Sequence, residues 1–384
     1  MITTDSRFIS EVLRGLVRIE SINPTLDARG SGERAIAEYT ANVFDRLGLD
    51  VRRHEPEPGR ISVVGLWKGR GGGRSLMLNA HYDTVGVDGM EEPFSGETRQ
   101  GRLFGRGAYD MKGSLAACMG AVEALRRDGH HPAGDLLIAA VADEEHSSLG
   151  TQDLVKRYAV DGAIVTEPTS LRLCLAHKGF VWLDVTTFGR AAHGSRPDLG
   201  IDANARMGRV LTAIEALNAR LAEGRKHPLL GPGSMHAALL RGGTGLSTYS
   251  AECRLSIERR TVPGESEDGV RGEIQSVLDS LARADPSFTA SLEVLLSRPP
   301  FEARPGSPLV NALRDAAHQV LGHEPEPVGE TPWMDSALLA EAGVDTVVMG
   351  PHGTGAHAAV EWVDLESVEA LARILAQTVL DYCA

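Results

Sequence analysis

The sequence predicts an α/β fold in which one alternating domain is interrupted by a smaller domain of different rhythm. Three observations predict it. Continuous apolar runs such as LLIAAVA at 136–142 mark strands buried on both faces, and helical stripes alternate with them at both ends of the chain. Between those ends, residues 178–295 read as β-α-β-β-α-β, a ferredoxin-like split arrangement. The 384 residues also exceed what one ordinary core organises. The expected layout is one discontinuous domain, 1–177 with 296–384, and one inserted domain, 178–295.

In order, Ile9, Val12, Leu13, Leu16 and Val17 fall at helical spacing, with Asp5 or Ser6 as cap. SINPT at 21–25 breaks that helix. Ser31 is expected to open the next, with Ile36, Tyr39, Val43 and Leu47 on one face and Gly48 as its stop. Residues 61–67 read as a strand, KGRGGGR at 68–74 as a turn and 75–80 as a strand, so these two strands are expected to pair as a hairpin. Leu115, Cys118, Met119, Val122 and Leu125 form a helical stripe, 136–142 and 162–165 are strands, and 344–349 repeats the strand pattern late in the chain. A helix capped by Asp364 carries Val368, Leu371, Ile374, Leu375 and Val379. Within the insert, strands are expected at 180–188, 235–241, 251–259 and 287–295, with helices at 203–221 and 265–284.

Composition narrows the function classes. Lys and Arg total 39 against 52 Asp and Glu, a net charge of −13, which argues against non-specific nucleic-acid binding. Cys118, Cys174, Cys253 and Cys383 form no CxxC or zinc-finger spacing, so they read as reduced thiols in a cytoplasmic protein. MITTDSRFISEVL lacks the apolar core of a signal peptide, and no apolar run of about 18 residues marks a membrane span.

The chemistry lies just beyond the apolar strands. LMLNAHYDT at 76–84 runs out into His81 and Asp83, two apart. If the strand continues, both side chains leave from one face, and a carboxylate can orient the imidazole of a metal ligand; the other reading is a turn that happens to hold both. Glu144 and Glu145 follow 136–142, Glu167 follows 162–165, and His357 follows 344–349, while Asp110 leads into a helix. In open α/β sheets, functional groups gather beyond the carboxyl ends of the strands. Any one of these acids alone reads as an ordinary surface carboxylate. Together with two imidazoles they form a mixed nitrogen and oxygen donor set that suits zinc and also fits cobalt or manganese. Adjacent Glu144 and Glu145 point in different directions, so one can bind metal while the other handles protons.

HYD at 81–83, GRGAYDMKG at 105–113, ADEEH at 142–146, TEPT at 166–169 and GAHAAVEW at 355–362 resemble, in order and spacing, the motifs of the dinuclear zinc amidohydrolases and exopeptidases. That family includes acetylornithine deacetylase, succinyl-diaminopimelate desuccinylase, aminoacylase and glutamate carboxypeptidase. The resemblance implies a zinc-exopeptidase-like catalytic domain with an inserted lid and dimerisation domain, and two divalent metal ions. It implies that Asp110 bridges the metals, that His81 and Glu167 complete one site, and that Glu145 and His357 complete the other. Asp83 would orient His81, and Glu144 would be the general base acting on a metal-activated water.

Lesser motifs extend the resemblance. GRAAHGS at 189–195 makes His193 a candidate donor to the oxyanion, against the reading of an ordinary loop histidine. IERRTVPGE at 257–265 makes Arg260 the candidate for a substrate carboxylate, with Arg259 its neighbour, against a solvated strand-edge charge. In GGTGLSTYS at 242–250, Ser247 stands where the family often has Asn, a shorter donor toward substrate. His352 rivals His357 as last ligand, but His357 keeps the family's spacing to Glu361. Asp335 in TPWMDSA reads either as support for the site or as a helix cap. The implied activity is hydrolysis of an amide, first an N-acyl amino acid and alternatively a dipeptide or a peptide carboxyl terminus. A metal-dependent binding protein without turnover is a further reading, against which Glu144 weighs. The expected partners are a small-molecule substrate and a second copy of the chain, with neither nucleic acid nor membrane.

Overall fold

The computed structural model describes residues 2–384. The chain forms two compact units. The first runs to Leu175 and resumes at Ala303–Val328 and Met334–Ala384, and the second comprises Ala176–Glu302 and Gly329–Trp333.

The first unit is built on a mixed sheet in the order Asp50–Glu57, Arg60–Trp67, Leu136–Val141, Leu76–His81, Gly162–Val165, Asp345–Val348 and Leu173–His177. Leu136–Val141, Leu76–His81, Gly162–Val165 and Asp345–Val348 run parallel, with His81 level with Val141 and Val348 level with Val165. Their carboxyl ends therefore open along one edge. Every residue of these four strands is buried, as continuous apolar runs require when helices cover both faces. Helix Gly113–Arg127 packs on Leu365–Tyr382, and Ser6–Val17 packs on Gly113–Arg127. Two of these helices start as expected: Asp5 accepts the N–H groups of Arg7 and Phe8, and Asp364 accepts that of Ser367.

Two sequence expectations differ from the structure, and one strand went without an expectation. Strands Arg60–Trp67 and Leu76–His81 do not pair as a hairpin; Leu136–Val141 lies between them, antiparallel to the first and parallel to the second. Both faces of Leu76–His81 are buried, and a parallel partner on each side serves such a strand better than a hairpin at an edge. Ser31 does not cap the second helix, which runs Arg34–Arg46 after Glu33. The Ser31 hydroxyl and N–H are both spent on Glu20, and Gly32 turns the chain at φ 69°. The strand Asp50–Glu57 was not expected, because it is a polar, mostly exposed edge without apolar alternation.

A small antiparallel sheet in the same unit orders Gly353–Thr354, Trp362–Asp364, Arg102–Phe104 and Thr98–Arg99. It fastens the late hairpin that carries His357 to the strand that leads toward Asp110 through the pairs Trp362–Phe104 and Val363–Leu103.

The second unit is a four-stranded antiparallel sheet in the order Ser234–Gly242, Glu252–Thr261, Gly179–Phe188 and Thr289–Arg298, with helices Ala203–Glu223 and Glu267–Ala284. Val185, Val210, Ile214, Leu255, Ile257, Ile274 and Leu278 form its core. Period-two alternation in Glu252–Thr261 sends Arg259 and Arg260 to opposite faces. Arg259 has 0% of its side chain exposed and donates to Glu265 Oε1 at 2.5 Å, to the Arg260 carbonyl at 2.5 Å and to Glu273 at 3.4 Å. Arg259→Met removes the cation but leaves these acceptors in place. It is expected to destabilise the protein by about 1–3 kcal/mol, the cost of leaving partly buried acceptors without their donor, as read by urea denaturation; a loss near zero would contradict this structural role.

Candidate metal centre

His81 is the last residue of its strand and is 1% exposed. Its Nδ1 donates to the main-chain oxygen of Asp83 at 3.0 Å. This fixes the tautomer, so that Nε2 faces Asp110 Oδ1 at 3.1 Å, Glu167 Oε1 at 3.4 Å and Glu144 Oε2 at 3.9 Å. The residue expected to orient His81, Asp83, meets the ring first through its main-chain oxygen, with its carboxylate behind it. The strand ends at His81, and the nearest Asp83 carboxylate oxygen stays 3.7 Å from Nδ1. That carboxylate instead accepts the N–H groups of Glu144 at 3.1 Å and Glu145 at 3.3 Å, and the Asn23 amide at 2.9 Å. Asp83 thus holds the turn that presents both glutamates.

Asp110 spans the centre. Its Oδ1 meets His81, and its Oδ2 lies 3.4 Å from His357 Nε2, which is also 3.0 Å from Glu145 Oε2. One carboxylate is therefore shared by an end containing His81 and Glu167 and an end containing His357 and Glu145. Two sets of donor atoms each lie within 4.8 Å: His81 with Glu144 and Glu167, and His81 with Asp110 and Glu145. Glu144 is thus close enough to His81 and Glu167 to share an ion with them.

His352 is not part of this group. Its Nδ1 lies 3.2 Å from Ser170 Oγ, and its ring meets Trp362 edge to face. Asp335 makes no side-chain cap bond to helix Ser336–Glu341; buried, it accepts the Thr151 hydroxyl at 2.5 Å.

The electrostatics fit a cation. Burial, with Glu167 nearby, drives the Glu144 carboxyl well above its usual range, and burial pushes Glu167 up to about 8. Burial likewise raises Glu145, and raises Asp335 to about 6. Burial works against the His81 imidazolium, but Glu167, Asp110 and Glu144 outweigh it. Hydrogen bonds to Asp110 and Glu145 raise His357 to about 10. Burial also works to raise Asp110, yet the bonds to His357 and His81 outweigh it and hold that carboxyl low. In the metal-free chain, protons on two imidazoles and on glutamates offset the crowded negative charge. Divalent cations would do so more completely, and the donors are the mixed imidazole and carboxylate set that zinc accepts.

The remaining candidates belong to the second unit. His193 is exposed, and its Nδ1 accepts the Ser195 N–H at 3.2 Å, which puts the ring proton on Nε2 as a donor. The Ser247 loop lies against the His193 loop, with Gly194 N–H donating to the Ser247 carbonyl at 2.7 Å and Tyr249 N–H to the Ala192 carbonyl at 2.9 Å. Arg260 is half-buried, donates to the Thr331 carbonyl, and stacks over Phe180 at 5.6 Å.

Sequence reasoning missed Asn23, treated only as part of a helix-breaking stretch, which joins Asp83 to Asp143 at 2.9 Å each. It also missed Arg106, and it used Glu361 only for its spacing from His357. The signal available was a charge pair within the motifs themselves.

A parallel sheet whose carboxyl edge gathers two imidazoles around a shared carboxylate is the framework of a metal-dependent hydrolase. Residues 77–381 match Peptidase family M20/M25/M40, and the chain belongs to that family. It is a hydrolase of carbon–nitrogen amide bonds. It is 28% identical over 382 residues to N-formyl-4-amino-5-aminomethyl-2-methylpyrimidine deformylase of Bacillus subtilis (strain 168), covering 91% of this chain and 89% of that one. It is 26% identical over 382 residues to acetylornithine deacetylase of Vibrio campbellii (strain ATCC BAA-1116), covering 97% and 98%. The aminopeptidase PepT structure from Bacillus cereus ATCC 10987 superposes with a TM-score of 0.81 at 16% identity over 99% of each chain, which shows a common fold.

Proposed function

We propose that this hydrolase removes a small acyl group from the nitrogen of an amino acid, using two divalent cations, zinc first among them, and Glu144 as general base. The observation that carries the reading is the single Asp110 carboxylate facing His81 on one side and His357 on the other. His81, Asp110 and Glu167 would hold one cation, and His357, Asp110 and Glu145 the other. Cations so held supply Lewis acidity, making a water more acidic and drawing charge from a carbonyl oxygen. Glu144, held by its N–H on Asp83, takes the proton of the attacking water and passes it to the departing amine nitrogen. The His193 Nε2–H is a donor for the oxygen that gains charge, and Arg260 is the cation for a substrate carboxylate, with Ser247 beside the His193 loop.

Relatives named for removing an acetyl and a formyl group favour an N-acyl substrate. The test is turnover by protein reloaded with zinc, cobalt or manganese on parallel panels of N-acyl amino acids and dipeptides. Release of free amino acid from the acyl panel is expected. Cleavage of dipeptides alone would replace this reading with a dipeptidase, and no turnover with metal bound would favour a binding protein.

The second unit is proposed as lid and dimerisation domain. Strand Ser234–Gly242 has one neighbour, and Leu239 and Leu240 on it are 56% and 55% exposed, an open apolar edge suited to a second copy. No helix among the described residues is long and apolar enough to cross a membrane, which is compatible with action in the cytoplasm. Mixing His193→Ala with Glu144→Ala protomers is expected to restore partial activity, as it does when His193 serves the partner's site. No recovery despite demonstrated subunit exchange would assign His193 to its own site.

A further inference from the structure

We infer that Glu361, gripped by Arg106, is a positioning residue that sets the distance between the two cation positions by locking the Asp110 turn to the His357 hairpin. The inference rests on the two-cation reading above.

Glu361 follows His357 on the late hairpin, and its side chain is 0% exposed. Its Oε1 accepts the main-chain N–H of Tyr109 at 2.9 Å and of Asp110 at 3.0 Å. Its Oε2 accepts the N–H of Gly107 at 3.1 Å and the Arg106 guanidinium at 2.6 Å. Both oxygens are thus committed to the one turn that carries the shared carboxylate. Gly107 adopts φ 79°, and a Cβ there would stand 2.8 Å from Thr84 Cγ2, so the turn can close on Glu361 only with glycine at this position.

The same pair reaches the other ligand. Arg106 also donates to the main-chain oxygens of Ala358 at 3.1 Å and Gly86 at 3.0 Å. The main chain adds a reciprocal tie, Gly105 N–H to the Glu361 carbonyl at 3.1 Å. Ala358 follows His357 directly, so the guanidinium holds the histidine's backbone while the carboxylate holds that of Asp110. Neither Arg106 nor Glu361 belongs to the sets of donor atoms around His81. An apolar pair of the same size would fill the space but take the Glu361 acceptor away from three main-chain N–H groups, that of Gly107 buried and those of Tyr109 and Asp110 half-buried.

The geometry separates the two cation positions. His81 and Glu167 stand at the ends of sheet strands and do not depend on the clamp. His357 and the orientation of Asp110 do. Asp110 serves both positions, but two of the three donors at the His81 position stand outside the clamp and only Glu145 does at the His357 position, so loss of the clamp should weaken the His357 position far more than the His81 position.

The test is titration of metal-free Glu361→Gln with Co²⁺, followed by visible absorption and equilibrium dialysis, beside wild type. Glutamine keeps the size, but its amide N–H₂ opposes main-chain donors. Wild type is expected to bind two equivalents. The variant is expected to hold one close to wild-type affinity and to bind the other about 10–100-fold more weakly, the usual loss when a partner behind a ligand is removed. With the metal-free melting temperature close to wild type, that selective loss separates positioning from general stability. Two equivalents at wild-type affinity, or equal weakening of both, overturns the inference. If Glu361→Gln does not fold, Arg106→Lys decides: it keeps a charge for Glu361 but gives up the fork to Gly86 and Ala358, and the same selective loss is expected, with unchanged binding overturning the claim. Wild type that binds fewer than two equivalents contradicts the two-cation reading itself, and this inference with it.

Discussion

Glu144→Gln is expected to retain both metal ions and to lose about 10³–10⁴-fold in kcat, the upper range for removal of a general acid–base group. The expectation is demanding because Glu144 lies close enough to act as a ligand. Its Oε2 is 3.9 Å from His81 Nε2, and it shares a set of donor atoms with His81 and Glu167. What separates the two roles is completeness. In the proposed assignment Asp110, Glu167 and His81 would supply three donors at one end, and Asp110, Glu145 and His357 three at the other, without Glu144. A catalytic zinc site commonly uses three protein ligands and keeps a further position open. Burial, with Glu167 nearby, also raises the Glu144 carboxyl above its usual range, the direction in which a carboxylate becomes a better proton acceptor. Elemental analysis alongside steady-state kinetics checks this; loss of one metal together with activity would make Glu144 a ligand.

Chelation should abolish turnover and lower the melting temperature, and both should return with zinc or cobalt. A cation that binds only the folded chain stabilises it by about 2.7 kcal/mol per site at one hundred times its Kd. The pH dependence of the metal-free protein follows from its buried acids. Burial raises the folded-state value of Glu167 to about 8, above the ordinary glutamate value of 4.5 that the unfolded chain has. Between those values the folded state binds more protons than the unfolded state, so stability is fully present below the lower value and falls as pH rises through the upper one. Glu144 adds in the same direction. Metal-free protein should therefore lose melting temperature between about pH 4.5 and pH 8, and saturating metal should flatten that slope. Equal slopes with and without metal would show that these carboxylates do not hold the ions.

Much of the centre was legible because its ligands follow buried strands. Apolar runs at 76–80, 136–142 and 162–165 announce themselves, and a parallel sheet places whatever follows them on one edge. His357 was read as following the strand pattern at 344–349, although it lies on a hairpin beyond Asp345–Val348, and Asp110 only as leading into a helix; their motifs singled both out. What could not be read is non-local hydrogen bonding. Nothing about HxD says that the imidazole takes the Asp83 main-chain oxygen while the carboxylate turns to the N–H groups of Glu144 and Glu145, 61 and 62 residues away. Nor does spacing reveal that Glu361 binds a turn 251 residues earlier in the chain. The hairpin expected from 61–80 failed for a related reason. A glycine-rich turn such as KGRGGGR permits a tight return, but the choice of neighbour went to Leu136–Val141, whose apolar run needed two partners. The missed strand Asp50–Glu57 is polar because it lies at the sheet's edge, where alternation is not enforced.

The central claim is a division of labour among adjacent acids: Asp110 is shared by two cations, Glu145 and Glu167 each hold one, Glu144 holds neither and Asp83 touches neither. The most direct measurement is anomalous diffraction from crystals of the zinc-loaded protein. Two peaks about 3.5–4 Å apart, the spacing of paired catalytic metals, are expected with the Asp110 carboxylate between them and His81 and His357 on opposite ends. A single peak, or two peaks with Glu144 or Asp83 within bonding distance, would contradict the account.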